Sequence, residues 1–259
     1  MAAIPVTSGL QLLLDARTIT GLSDGDTVSA WSDSSGLGNN AAQSTLANRP
    51  LYKTNIYGTN PAVRFADTTD FMNGTFASWG THAGQTLLMM VNNTPSSNTA
   101  NGRWFGTSTN SSFDYENHLL YSSGTEGDLL IYQNFVAMKT TAQPTAYAKS
   151  ITSPLIIGYA VTGTRYDYIL NGVYSYNITH AAGLPPAPTK YSFGIINSGT
   201  PATGDKAKYD CHFAIVFNRR LTVAEIESVC CWMRTEIGLL TISGGTAKPS
   251  HPMKSQVIG

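Results

Sequence analysis

Short apolar segments, each a few residues long, recur along most of the chain and are separated by Gly, Pro, Asn, Asp and Ser. This rhythm is typical of an all-β domain built from many short antiparallel strands, and 259 residues suit one large sandwich. The predicted strands are Leu10 to Asp15, Thr27 to Trp31, Ala62 to Phe65, Thr86 to Val91, Leu129 to Phe135, Pro154 to Tyr159, Tyr166 to Leu170, Tyr191 to Ile196 and Tyr209 to Phe217. Two packed sheets follow from this pattern.

Two local patterns are specific enough to predict single elements. Tyr166 to Leu170 runs into Asn171-Gly172, a pair that tolerates positive φ, and Val173 to Tyr176 returns, which predicts a β-hairpin. A helix is predicted from Thr222, where Thr-x-x-Glu forms a capping box, to Gly238. Its apolar stripe is expected to lie against a sheet or a neighbouring subunit. The stripe consists of Val223, Ile226, Cys230, Met233 and Ile237.

The two ends differ in pattern from the rest of the chain. Residues 1–8 read as an N-terminal arm, residues 9–240 as the sandwich, and residues 241–259, which have no periodicity and several chain breakers, as an extended tail. The first nine residues lack the basic and apolar regions of a secretory signal, and no run of about 18 apolar residues occurs. The expectation is a protein made in the cytoplasm that does not span a membrane and leaves the cell by another route, such as lysis.

The net charge of the chain limits the kinds of partner that it is expected to bind. The 16 basic and 16 acidic residues cancel, and charged residues make up 12% of the chain. A broad positive field for nucleic acid is therefore missing. The three cysteines, Cys211, Cys230 and Cys231, match no disulfide framework or zinc pattern, and the simplest interpretation is buried thiols.

Several segments resemble, in order, the laminin-G-like, concanavalin A-like jelly-roll modules of phage virion proteins and bacterial surface proteins. The most specific is the loop from Val28 to Ala41, with Trp31, Asp33 and the glycine-asparagine turn. The others are Gly9 to Ala16, Asn60 to Phe71, Ile169 to Gly172 and Phe213 to Ile226. The resemblance implies an antiparallel two-sheet jelly-roll β-sandwich with one C-terminal α-helix. In the middle of the chain, residues 95–152, the resemblance to these modules is limited to the spacing of the strand-like segments.

Carboxylates in the loops of the first half are the candidate metal ligands. Hard oxygen donors of this type suit Ca²⁺, although none falls in a dense acidic loop with ligand spacing. The alternative is that these side chains close turns, as an Asp at position 33 would in an Asx turn. The candidates are Asp24, Asp26, Asp33, Asp67 and Asp70.

Aromatic residues in loop-like stretches are the candidate sugar contacts, because sugars stack on exposed rings beside amide or carboxylate groups. The alternative for each is packing in the core or at a sheet edge. The candidates are Trp79, Trp104, Tyr115 and Tyr121. Catalysis has little support: Asp114 and Glu116 form the nearest carboxylate pair on one strand face, and no nucleophile elbow is present.

Three functional hypotheses remain open. The first is a non-enzymatic structural protein of a phage virion, a capsid decoration, fibre or tail component that packs on other subunits or on copies of itself and meets a host-surface glycan. The second is a free carbohydrate-binding lectin, with or without calcium. The third is a glycosidase that uses a carboxylate pair across a groove.

Overall fold

The computed structural model describes residues 2–66, 69–93, 102–109, 118–123, 128–133, 136–138, 153–179, 183–194 and 208–239. The predicted tail, residues 241–259, lies outside them, as does most of the middle segment. In chain order the strands are β1 (Leu10–Asp15), β2 (Ala30–Trp31), β3 (Ala41–Ala42), β4 (Leu51–Tyr57), β5 (Asn60–Phe65), β6 (Met72–Thr75), β7 (Gln85–Asn93), β8 (Gly102–Ser108), β9 (His118–Ser123), β10 (Asp128–Gln133), β11 (Val136–Met138), β12 (Leu155–Thr162), β13 (Arg165–Leu170), β14 (Val173–Thr179), β15 (Lys190–Phe193) and β16 (Tyr209–Phe217). The helix α1 spans Val223–Glu236.

The strands form two antiparallel sheets that pack face to face. Sheet A has the order β14-β13-β12-β7-β16-β5-β4, and β1 pairs with the second half of β16. Sheet B has the order β11-β10-β9-β8-β15-β6-β3-β2. Non-sequential neighbours such as β7 and β16 give the crossing connections expected of a jelly roll. The prediction of an all-β, two-sheet sandwich with a single C-terminal helix is confirmed.

The inner core lies between the two sheets and is rich in aromatic rings. Alternate residues of the strands point into it, as the two-residue period of a strand requires. Tyr209 and Cys211 on β16, and Phe193 on β15, are fully or almost fully buried there. Along β16, Phe213, Ile215 and Phe217 point the other way. All nine residues of β16 are buried, because both faces of this strand are covered.

The outer core lies between sheet A and helix α1. Ile226, Val229 and Met233 of the helix pack there against the strands. The capping box is present as predicted: the Thr222 hydroxyl accepts from the Glu225 amide at 3.3 Å, and the Glu225 carboxylate accepts from the Thr222 amide at 2.8 Å. Within the predicted stripe, Val223 was assigned wrongly, because it lies in the first turn beyond the edge of the core and is 52% exposed.

The N-terminal arm lies on the helix. Ile4 and Val6 pack against the outer core, and the Trp232 indole nitrogen donates to the Ala2 carbonyl at 3.1 Å. The Ala2 amide in turn donates to the Glu236 carboxylate at 2.9 Å. The arm thus adds to the same outer layer as the helix.

The predicted hairpin is confirmed at the β13–β14 turn. Asn171 and Gly172 have φ values of 52° and 86°, the positive angles that a two-residue turn of this kind requires. The predicted strand Thr27 to Trp31 is shorter than expected. Only Ala30 and Trp31 pair with sheet B, whereas Thr27 makes an isolated bridge to Leu51 on β4. No helix among the described residues is both long and apolar enough to cross a lipid bilayer.

Candidate functional site

The loop between β2 and β3 is a rigid structural feature built around Asp33. Its carboxylate accepts from the amides of Leu13, Ser35 and Asn39 at 2.9 to 3.0 Å and from the Ser35 hydroxyl at 2.6 Å. The buried Asn39 side chain continues the network by donating to the Gln11 carbonyl at 2.7 Å. Asp33 therefore closes the loop and ties it to β1, which is the Asx-type alternative to metal binding.

The other candidate metal ligands serve separate local contacts. Asp24 pairs with Lys53 and accepts from the Thr54 amide at 2.8 Å, and these hydrogen bonds lower the pKa of its carboxyl. Asp26 accepts from the Ser23 amide at 2.7 Å. Asp70 is buried and accepts from the Ala66 amide at 2.9 Å, and Asp67 lies outside the described residues.

The structure does not gather these carboxylates. Among the residues with described side chains, no three Asp, Glu, His or Cys side chains lie close enough to hold one metal ion. Cys211 and Cys230 are buried free thiols, and burial raises the pKa of Cys230 to about 12, which makes it a poor ligand at neutral pH. The calcium hypothesis thus has no assembled site in the described part of the chain.

Two of the four predicted sugar contacts belong to the inner core. Trp104 is 6% exposed and stacks on Tyr209 with the ring centroids 4.5 Å apart. Trp79 is 5% exposed, meets Phe76 edge to face at 4.7 Å and donates through its indole nitrogen to His82 at 2.8 Å. The prediction that these two rings are exposed for stacking was wrong, because other rings of the inner core pack against both of them.

The remaining aromatic and catalytic candidates fall largely outside the described residues. Tyr121 lies on β9, paired with Leu130 of β10, and only its backbone is described. Tyr115, Asp114 and Glu116 lie outside the described residues, so their predictions stay predictions. His82 is half-buried, and burial lowers its pKa, so it is neutral at physiological pH.

The outer face of sheet B is the surface of this sheet that points away from the core. Tyr191 and Phe193 of β15 point inward, so the alternation places Lys190 and Ser192 on the outer face. The register sets Asn73 of β6 and Gly106 of β8 on either side of Ser192. Around Lys190 the same register sets Thr75 and Ser108. We call these residues, together with Ala42 of β3, the polar face.

The polar face carries small hydroxyl and amide groups and a single cationic side chain among its described members. Ala42 and Thr75 are exposed, Asn73 and Lys190 are partly exposed, and Ser108 and Ser192 are each 2% exposed. The Asn73 Oδ1 atom is shielded and accepts no hydrogen bond from any described group. The donor that this buried oxygen requires is therefore not among the described groups.

A second polar cluster lies on the opposite side of the molecule, beside helix α1, and the sequence analysis did not find it. Asp167 on β13 is 2% exposed and accepts from the guanidinium groups of both Arg165 and Arg220. Arg165 and Asp167 are two residues apart on one strand face, which the sequence could have shown. Arg220 comes from the segment between β16 and α1, 53 residues away, and only the fold brings it there.

The geometry defines a fold class, an antiparallel two-sheet jelly-roll β-sandwich with one C-terminal helix. No protein-family model and no curated protein sequence matches the chain. Solved structures do match its fold. A sialidase from Trypanosoma rangeli in complex with 2,3-difluorosialic acid matches with a TM-score of 0.57 and 13% identity, over 88% of this chain and 34% of the sialidase.

Two botulinum neurotoxin structures match similarly. The binding domain of botulinum neurotoxin DC, in complex with rat synaptotagmin II, has a TM-score of 0.58 and 10% identity over 87% of this chain and 52% of its own. Botulinum neurotoxin type C, whose cell entry is dependent upon interaction with two ganglioside molecules, has a TM-score of 0.60 and 12% identity over 87% of this chain and 51% of its own. The chain thus spans a third to a half of these proteins, and identities this low establish the shared fold alone.

Proposed function

We propose that this protein is a non-enzymatic, lectin-like binding module that contacts a cell-surface glycan through the polar face of sheet B. The observation that carries the proposal is the polar face itself, where the exposed Thr75 lies beside the partly exposed Asn73 and Lys190 on the side away from helix α1. Sugars present many hydroxyl groups, and amides and hydroxyls hydrogen-bond them in both donor and acceptor roles. The fold likeness to the binding domain of botulinum neurotoxin DC supports a binding role of this kind.

A non-catalytic role also fits the state of the described carboxylates. Asp15, Asp167 and Asp210 each pair with an arginine, and Asp33 is saturated by loop donors. A glycosidase needs one carboxyl group free to give a proton and another free to attack or to activate water. Carboxylates held in this way stabilise the folded structure.

The test is a glycan array followed by titration of the glycan that gives the strongest signal, with and without a chelator. The paired substitutions Asn73→Ala and Thr75→Ala remove two groups of the polar face, and we expect binding about tenfold weaker, which corresponds to about 1.4 kcal/mol. Thr59→Ala, at the exposed turn between β4 and β5, is the matched control and should bind as the wild type does. Unchanged binding in the paired variant would place the glycan elsewhere.

We further propose that the module is carried by a phage virion, as a capsid decoration, fibre or tail component. The resemblance of the Trp31 to Ala41 loop and of the closing strand and helix to virion modules supports this. Purified particles should contain the protein in a fixed ratio to the capsid protein, measured by quantitative mass spectrometry. The alternative, a free lectin, predicts that the protein stays in the particle-free fraction of a lysate.

A further inference from the structure

His212 lies at an irregularity in β16, a central strand of sheet A. Cys211 pairs with Val91 of β7, and Phe213 pairs with the adjacent residue, Met90. His212 is therefore the extra residue of a β-bulge, and its side chain is buried, with 1% exposed. A bulge redirects the side chain of its extra residue, and bulges are frequent at functional sites. The bulge thus fixes a buried titratable ring in sheet A.

Both ring nitrogens of His212 have partners on the neighbouring strands. Nδ1 lies 2.8 Å from the Pro61 carbonyl oxygen on β5, and Nε2 lies 3.1 Å from Oδ1 of the buried Asn92 on β7. A carbonyl oxygen can only accept, so Nδ1 carries a hydrogen in both protonation states of the ring. Nε2 is therefore the atom that gains or loses the proton.

Asn92 can hydrogen-bond both protonation states of His212. Its amide oxygen accepts from the Nε2–H group of the charged ring. After a half turn of the amide, its nitrogen donates to the bare Nε2 atom of the neutral ring. Because neither state loses this hydrogen bond, burial and the nearby charges decide whether the ring is protonated.

Two ion pairs lie close to the His212 ring. Arg64 of β5 binds Asp210 with an N to O distance of 2.6 Å. Arg17, which follows β1, binds Asp15 at 2.7 Å. Burial is the strongest influence and lowers the pKa of His212, whereas the carbonyl hydrogen bond and the two carboxylates raise it and Arg17 lowers it. The net effect is a lowered pKa, so the ring is neutral at pH 7.

The surroundings of His212 are connected to the C-terminal end of α1. Arg17 donates through Nη1 to the Glu236 carbonyl at 2.7 Å and to the Glu236 carboxylate at 2.8 Å. Asn60, which precedes the proline bonded to His212, donates to the Ile237 carbonyl at 3.0 Å. The N-terminal arm joins the same group, because its first described amide donates to the Glu236 carboxylate. These contacts hold the last turn of α1 against the elements that surround His212.

We propose that His212 is an acid switch for the outer layer, which opens the last turns of α1 and the N-terminal arm when the ring takes up a proton. Opening lets water reach the ring, whose affinity for a proton then returns to that of an exposed histidine, with a pKa of about 6.5. The lowered pKa of the closed state means that the open state binds the proton more tightly. Opening is therefore suppressed above pH ~6.5, and below it the opening equilibrium constant rises up to about tenfold per pH unit.

The test is amide hydrogen exchange of the intact chain from pH ~7.5 to ~5, with rates corrected for the intrinsic pH dependence of exchange. We expect protection in the last turns of α1 and in the arm to fall about tenfold between pH ~6.5 and ~5.5, while β6 keeps its protection. The ¹⁵N signals of the His212 ring should show the Nδ1–H tautomer at pH ~7 and a pKa below ~6.5. A ring protonated at pH ~7, or protection in α1 that does not change with pH, would overturn the switch.

His212→Gln removes the titrating group and keeps a donor and an acceptor in the side chain. This variant should lose the fall in α1 protection between pH ~6.5 and ~5.5. His82→Gln is the matched control, because His82 is a half-buried histidine whose pKa is also lowered by burial, and it should respond to pH as the wild type does. A full pH response in His212→Gln, or its loss in His82→Gln, would contradict the assignment to His212.

Asn92→Asp tests the same switch in a chain that keeps His212, and it decides the matter if His212→Gln does not fold. A carboxylate opposite Nε2 favours the charged ring and should raise the pKa of His212 in the closed state by about one unit or more, read from the ring ¹⁵N signals. The closed state then binds the proton about as tightly as the open state, so the acid-induced opening of α1 should disappear. A raised pKa with unchanged opening would show that another group drives the opening.

Discussion

The two sides of sheet A are packed by different chemistry. Toward sheet B, the inner core contains a continuous series of aromatic contacts whose ring centroids are 4.5 to 6.0 Å apart. Toward helix α1, the outer core is mainly aliphatic and is bordered by ion pairs. The aromatic series runs through Trp104, Tyr209, Phe65, Phe193 and Trp31.

The ion pairs show the contrast most clearly. Between described residues, all but the Asp24–Lys53 pair lie on the helix side, where the strand alternation places Asp15, Asp167 and Asp210. The inner core buries polar atoms mainly as tyrosine hydroxyls, such as that of Tyr209, which donates to the Trp104 carbonyl at 2.6 Å. Burial raises the pKa of this tyrosine well above its usual value, so the hydroxyl stays neutral. We infer that changes in pH and salt concentration alter the stability of the outer layer and leave the stability of the inner core unchanged.

The largest effect is expected in the inner core. Trp31→Ala removes a fully buried indole that packs on Phe193, and it should lower the free energy of unfolding by about 4 kcal/mol, measured by urea denaturation. Trp31→Phe is the control. The indole nitrogen has no hydrogen-bond acceptor among the described groups, so Phe should cost less than half as much. Equal losses of unfolding free energy in the Ala and Phe variants would mean that the Trp31 indole nitrogen has a hydrogen-bond acceptor.

An intermediate effect is expected from the arm. Changing Ile4 and Val6 together to Ala removes partly buried side chains from the outer core and should cost about 2 kcal/mol. Amide hydrogen exchange should rise in α1 more than in β7 or β16, since the arm covers the helix. The exposed Ala3→Ser is the matched control. Equal increases in all three elements would show that the two cores unfold as one unit.

The elements that the sequence predicted are those governed by local rules. Thr222 and Glu225 cap α1, and the sequence predicts this because a capping box needs only four residues. Asn171 and Gly172 form the β-turn because few other residue pairs accept two positive φ angles. The short strands β3, β6 and β11 were missed, since two to four residues carry too little periodicity to recognise, and the longer strands β4, β8 and β9 were missed as well.

The failures at the candidate site have a different cause. Trp104 follows Asn101-Gly102-Arg103, a polar stretch typical of an exposed loop, yet it is buried by Tyr209, 105 residues later in the chain. The pairing of Arg220 with Asp167 is equally non-local. Burial and charge clustering of this kind are decided by tertiary contacts, which one sequence does not display.

The smallest effect is expected at the capping box, and it depends on pH. The hydrogen bond and charge of Arg219, together with the Thr222 donors, lower the pKa of Glu225 from 4.5 to about 2. A depressed carboxyl pKa stabilises the fold above the unfolded value, and this stabilisation is lost as the pH falls from 4.5 towards 2. Because the Glu225 side chain is 29% exposed, solvent screening limits its contribution to about 1 kcal/mol.

Glu225→Gln isolates this contribution. Gln can still accept from the Thr222 amide, so the variant should lose about 1 kcal/mol at pH 7 and almost nothing near pH 2, measured by urea unfolding across this range. The exposed Glu227→Gln, two residues further along α1, is the matched control and should follow the wild type. If the loss at pH 2 equals that at pH 7, Glu225 acts through its shape and not its charge. The outer layer would then be less sensitive to pH than its ion pairs indicate.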